Sequence, residues 1–149
     1  MKKISLKSTS GFSLLEIIIV LAIVGTLTAI ILTSVTSSQS KAQIKETGVK
    51  AGVVFSALLN YQVDTGSFPS SSQGLESLVK NPGVAGWIDP YVKNEDQLKD
   101  AWNHLFRYEL VDGNPVLISN GKYGQKGTKD DLRFEDGKLV STGAQEGPG

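Results

Sequence analysis

Sixteen consecutive positions, Ile17 to Leu32, form an apolar run, and a single carboxylate, Glu16, stands at its threshold behind the basic leader Lys2, Lys3 and Lys7. Counted from Phe12 to Leu32 the segment has 21 residues. About 20 helical residues cross a hydrocarbon core, so the run is long enough to span a bilayer. A cleavable secretory signal would have a shorter apolar core of about 7 to 15 residues followed by small residues of A-x-A type. Here the run gives way instead to Thr33-Ser34-Val35-Thr36-Ser37-Ser38. The positive leader would hold the amino end in the cytoplasm and place the remainder across the membrane. A plain anchor gives no reason for Glu16, because a carboxylate at the centre of a bilayer costs about 2.5 kcal/mol or more unless a function neutralises it.

The run Gly11-Phe12-Ser13-Leu14-Leu15-Glu16 resembles the type III signal of type IV pilins and type II secretion pseudopilins. The resemblance implies cleavage between Gly11 and Phe12 by a prepilin peptidase, with Phe12 becoming the new, usually methylated, amino terminus. Glu16 is then the fifth residue of the mature chain. Its implied role is assembly, by pairing with the Phe12 ammonium of a neighbouring subunit, whose unperturbed pKa is about 7.7 to 8.0. Losing one partner of a buried pair strands a charge at a cost of about 3 to 5 kcal/mol, so the pairing would select register as subunits add.

Composition fits such a subunit. Loss of Lys2, Lys3 and Lys7 leaves 12 basic residues against 15 acidic ones, a balance that implies no nucleic-acid-binding surface. The absence of cysteine excludes a disulfide framework, a thiolate metal site and a lipid-modified cysteine anchor. His104 is the sole histidine, so neither a His/Cys nucleophile pair nor a zinc cluster can be built, and a structural place beside Trp102 is the simpler reading.

No proline interrupts the chain before Pro69, which predicts one helix from Phe12 to Tyr61 of about 75 Å at 1.5 Å per residue. Its first half, 12–33, is the transmembrane or filament-core segment, and 34–62 the amphipathic half. Gly48, Ala51, Gly52, Phe55, Leu58 and Leu59 form the predicted buried stripe. Gly48 and Gly52 would admit another element close to the backbone, while Gly25 either permits close helix packing or loosens the helix. Many pilin-class proteins have proline where this chain has Thr33. Gly66 and Pro69 should end the helix, and Ser70 with Gln73 should cap a second short helix carrying Leu75, Leu78 and Val79.

From Asp64 to Val79 the chain is similar to a segment of the major pseudopilin family of type II secretion systems, D-x-G-x-[YF]-P followed by T/S-x-x-Q-G-L-x-x-L. Trp87-Ile88-Asp89-Pro90-Tyr91-Val92 and Asp100-Ala101-Trp102-Asn103 resemble two further motifs of that family. The implied fold is α+β and pilin-like, a long amino-terminal helix with a small antiparallel-sheet head. The expected organisation is a leader 1–11, the helix, a periplasmic αβ head 63–140 and a flexible tail 141–149. Strands are expected at Leu105 to Val111, Val116 to Ser119 and Arg133 to Val140, with Asp112-Gly113 a hairpin signal. Three strands would then bury Trp102, Phe106, Tyr108 and Leu117.

The glycine-rich loop 119–132 resembles that family's calcium loop. Asp130 and Asp131 match its carboxylate ligands, and Leu117 and Ser119 match positions that offer carbonyl oxygens. Tyr123 stands where the family has a ligand Asp, and Lys122, Lys126 and Lys129 add positive charge nearby. Calcium takes six to eight oxygens at about 2.3 to 2.6 Å, and a phenol replaces a carboxylate poorly. Two readings stand, calcium or a metal-free loop in which Asp130 or Asp131 accepts bonds from backbone amides.

The functional expectation is a non-enzymatic structural subunit, stored in the bacterial inner membrane as a single-pass precursor with its head in the periplasm. It would polymerise into a pseudopilus that helps move folded proteins across the outer membrane. Implied partners are further copies of the chain, minor pseudopilins, the prepilin peptidase, the inner-membrane assembly platform and the inner membrane. The alternatives are a surface type IV pilin and a non-polymerising, membrane-anchored calcium-binding domain that is not cleaved.

Overall fold

The structure, a computed structural model, describes the backbone of residues 11–143 and the side chains of these residues apart from 29–37. Lys2, Lys3, Lys7 and most of the leader, with 144–149 of the tail, lie outside the described residues. The chain divides into two compact units, 1–40 and 41–149. Among the described residues, no helix is long and apolar enough to cross a membrane.

The long helix α1 runs Leu14–Thr65, 52 residues. It stops because Gly66 turns into the left-handed region, with its amide donating to Gln62 O at 2.8 Å. In the first unit the apolar side chains described from Phe12 to Leu27 are all exposed.

In the second unit α1 has a distinct inner face. Ala51, Val54, Phe55, Leu58 and Tyr61 are buried at the spacing of one helical stripe. The expected stripe is therefore corrected in part. Leu59 is 52 % exposed, and Val54 and Tyr61 take the inward places. Leu59 follows Leu58 by one residue, about 100° around the helix, and turns off the face.

A reciprocal pair of bonds forms between Ser70 and Gln73. Ser70 N donates to Gln73 Oε1 at 2.9 Å and Gln73 N to Ser70 Oγ at 3.2 Å. These bonds close the turn 70–73 and do not cap a helix: the element that follows is a single 3₁₀ turn, Leu75–Leu78, whose N-cap Gly74, at φ 60°, makes no side-chain cap bond, so the expected capped helix is corrected. A second 3₁₀ turn covers Glu95–Leu98. Between them Trp87 and Tyr91 build an aromatic wall, with edge-on contacts from Tyr91 to Tyr61 at 5.4 Å and to Trp87 at 5.9 Å.

Four antiparallel strands form one sheet in sequence order, β1 Arg107–Val111, β2 Asn114–Ser119, β3 Leu132–Glu135 and β4 Lys138–Thr142. The expected third strand is thus two. Asp136 and Gly137 both take positive φ, which makes the interruption a tight two-residue hairpin like that at Asp112-Gly113. The turn packs against α1, where a Cβ on Gly137 would lie in ordinary contact, 3.4 Å from the Gly52 Cα. A Cβ on Gly52 itself would meet nothing within 4 Å, so the expectation that its bare backbone admits a close element is corrected. β4 continues through Thr142, two residues into the stretch expected to be a flexible tail, and Leu105 joins Lys99 in an isolated bridge ahead of β1.

Leu117 and Phe134, opposite each other in β2 and β3, are both fully buried and meet the inner stripe of α1 in the core. Phe106 stands edge-on to Phe134 at 6.2 Å. Trp102 and Tyr108 are only partly buried, packing against the core from outside.

Candidate functional sites at the amino terminus and the head loop

At the amino terminus the geometry is local. α1 begins at Leu14, with Ile17 N donating to Ser13 O at 3.2 Å, and Glu16 lies in its first turn. A carboxylate there lies near the positive end of the helix dipole. Gly11 and Phe12 precede the helix, both exposed, Phe12 at 80 %. Residues 11–13 thus lie outside the helix.

The head loop is organised around a residue that the sequence places in a motif without giving it a role. Asp100 is fully buried. Its Oδ1 accepts from the amides of Trp102 and His104, each at 2.9 Å, and its Oδ2 accepts from Ser119 Oγ at 2.6 Å. Its backbone carbonyl accepts from Lys50 Nζ at 3.1 Å, and the next amide, Ala101 N, donates to the buried Thr47 Oγ1 at 3.2 Å. Asp100 therefore joins α1, the 100–104 turn and the end of β2. Removing its carboxylate would leave buried donors unpaired, each at a cost of about 1 to 3 kcal/mol. The legible signal for it was an acid flanked by Trp102 and Asn103 after a non-periodic stretch. Asn103 holds φ 68°, the left-handed conformation such a turn needs.

From Ser119 the chain enters the loop. Ser119 Oγ also accepts from Gly121 N at 3.1 Å, so its hydroxyl is turned toward Asp100 and the turn. A Cβ on Gly121 would collide with the carbonyl and carboxylate of Asp130, which explains glycine at that point. His104 Nδ1 lies 3.0 Å from Gly121 O, and the tautomer protonated there donates to it. This gives the lone histidine a structural task.

The two carboxylates read as metal ligands are held by the loop itself. Asp130 Oδ2 accepts from Tyr123 N at 2.9 Å. Asp131 Oδ2 accepts from Gly127 N at 3.0 Å and from Arg107 Nη2 at 3.4 Å. The Thr128 hydroxyl reaches Oδ1 of both residues with a single proton to give. Burial alone would raise the pKa of Asp130, but the bonds from Thr128, Tyr123 and nearby backbone amides hold it below the ordinary carboxylate value. Tyr123 turns outward, 62 % exposed. Leu117 lies inside the sheet, paired to Tyr108 on one side and Phe134 on the other. Among the described residues, no group of three or more His, Cys, Asp or Glu could hold a metal ion.

A long amino-terminal helix, a four-stranded antiparallel sheet in sequence order and an exposed apolar terminus with one acid in its first turn define a pilin-like protein. Residues 6–32 match the prokaryotic N-terminal methylation motif. Residues 34–134 match the family described as type II secretion system (T2SS), protein G, and the chain belongs to that family. It is similar to the type II secretion system core protein G of Xanthomonas campestris, 35% identical over 121 residues that cover 79% of this chain and 82% of that one. The corresponding protein of Pseudomonas aeruginosa is 35% identical over 134 residues, covering 83% and 91% of the two chains. The corresponding protein of Escherichia coli K12 is 33% identical over 130 residues, covering 82% and 88%. Among solved structures, the major pseudopilin from the type 2 secretion system of enterohaemorrhagic Escherichia coli superposes with a TM-score of 0.57 at 21% identity. That match covers 65% of this chain and 86% of that one, and supports the shared fold.

Proposed function

We propose that this chain is a structural subunit, and not an enzyme, that polymerises into the periplasmic pseudopilus of a type II secretion system and helps drive folded proteins across the outer membrane. Before assembly it is a precursor anchored in the bacterial inner membrane through 12–33, with its head in the periplasm. One observation carries the reading most directly. Leu14, Leu15, Ile17, Ile18, Ile19, Val20 and Leu21 are exposed to between 45 % and 81 % in the single chain, with Glu16 among them. So large an apolar surface requires cover. Lipid covers it in the precursor, and helices of other copies cover it in the filament. Lipid cannot satisfy Glu16; a neighbouring copy's Phe12 ammonium can.

On this reading a prepilin peptidase cuts after Gly11 and methylates Phe12, and an inner-membrane platform with minor pseudopilins starts assembly. The family match across the head favours a pseudopilus over a surface pilus, because that match rests on residues beyond the shared amino-terminal signal. The test is the intact mass of the protein from membranes of cells with and without an active prepilin peptidase. The peptidase is expected to remove residues 1–11 and leave one added methyl. A full-length mass in its presence would reject both cleavage and the assembly role of Glu16.

A further inference from the structure

We infer that the guanidinium of Arg107 serves in this chain as the cation of the head loop, so that the loop 119–132 closes without calcium. Arg107 begins β1, opposite Ile118 of β2, which brings its side chain to where the loop leaves and rejoins the sheet. Its Nε donates to Asn120 Oδ1 at 2.8 Å, one residue into the loop. Its Nη2 reaches Asp131 Oδ2 at 3.4 Å, where the loop ends, and Nη1 reaches Glu109 Oε1 at 3.5 Å. The Asp131 side chain is 7 % exposed and that of Arg107 24 %, so the pair is shielded. A planar fork with several donors suits this task, since it joins two ends of a loop through one fixed group.

The donors left over do not fit a calcium ion. Calcium asks for six to eight oxygens. Asp131 is already neutralised by a cation, Asp130 Oδ2 is taken by the Tyr123 amide, and the phenol of Tyr123 points to solvent. Lys122, Lys126 and Lys129, all exposed, set a positive potential over the loop that opposes a divalent ion. Those lysines also make the loop its own reporter. An open loop is cut by trypsin after each of them; a closed one is cut slowly, because cleavage depends on local opening.

Loop closure by Arg107 involves the head alone and is independent of whether the chain polymerises. Its test is limited trypsin digestion of the full-length protein in detergent, reading the peptides that end at Lys122, Lys126 and Lys129. Calcium chloride and a chelator are compared, for the parent chain, Arg107→Met and Asn120→Ala. The parent chain is expected to be cut at the same rate in both solutions. Arg107→Met is expected to be cut roughly tenfold faster within the loop, and Asn120→Ala roughly threefold faster, while cleavage elsewhere in the head is unchanged apart from the site after residue 107 that Arg107→Met removes. Slowing of the parent's loop cleavage by calcium would overturn the inference even if neither variant folds. So would an Asn120→Ala or Arg107→Met loop cut no faster than the parent's.

Discussion

Leu21 and Leu58 lie on the same helix and differ in everything that decides their energetics. Leu21 is 64 % exposed, among side chains that are apolar all round; Leu58 is fully buried, on a face whose opposite side carries Ser56, Asn60 and Val63 to solvent. The carboxyl-terminal half of α1 is amphipathic and finds its cover within its own chain. The amino-terminal half is mostly apolar, with Glu16, Thr26 and Thr28 the exceptions before residue 29, and has no cover among the described residues. One continuous helix thus has two kinds of surface, and a substitution's consequence depends on which half it enters.

The largest effect should come from Glu16→Ala. If the carboxylate pairs with the ammonium of a neighbouring copy, its loss costs about 3 to 5 kcal/mol at each subunit contact. That is more than about a hundredfold in association. Filament yield is expected to fall below detection, with the melting temperature of the head unchanged. Filaments at parental yield would remove the acid from the assembly scheme and leave only apolar packing. Next in size is the matched pair. Leu58→Ala should destabilise the head by about 3 kcal/mol in denaturant unfolding, the usual cost of a cavity in a packed core. Leu21→Ala should leave head stability unchanged and act, if anywhere, on membrane retention or assembly. A head that loses stability on Leu21→Ala would mean that the two halves share cover.

How much of the molecule was legible in its sequence depended on whether a local rule decided the outcome. The Ser70–Gln73 bonds, the helix stop at Gly66 and the Asp112-Gly113 hairpin could be read because each is fixed by chemistry within a few residues. Asp136-Gly137 carried the same hairpin signature, yet the apolar and polar residues on either side read as one strand. Asp136 and Gly137, both at positive φ, make the turn, and the pairing of β3 with β4 settles that the run is two strands. Leu58 and Leu59 are both good core residues by type, and only the packed helix decides between them. The loop shows the sharper limit. Asp130 and Asp131 were visible as acids in a glycine-rich run, and Thr128 is their neighbour in the same loop, but the partner Arg107 and the Asp100–Ser119 bond beneath depend on strand register. An arginine inside an ordinary strand gives no signal until the loop is seen to close on it.

The smallest effect tests whether the head's self-sufficiency extends to its rim. Tyr108 is partly buried, and its hydroxyl donates to Pro69 O at 2.7 Å, tying β1 to the segment after α1. Burial, with a smaller contribution from Tyr61 nearby, pushes its pKa up to about 12. An unfolded tyrosine ionises near pH 10. Because the folded value is the higher one, the neutral phenol's contribution to stability is complete below about pH 10 and is lost as pH rises through about 12. Tyr108→Phe should cost about 1 kcal/mol at neutral pH for the lost hydrogen bond. It should also flatten the fall in melting temperature between about pH 10 and 12. The fall should not vanish, since burial also raises Tyr61 and Tyr91. If Tyr108→Phe left the alkaline slope of the parent intact, the phenol would titrate as a solvent-exposed group. The bond to Pro69 would then be open in solution, and the head's rim, like the amino-terminal half of α1, would depend on a partner to complete it.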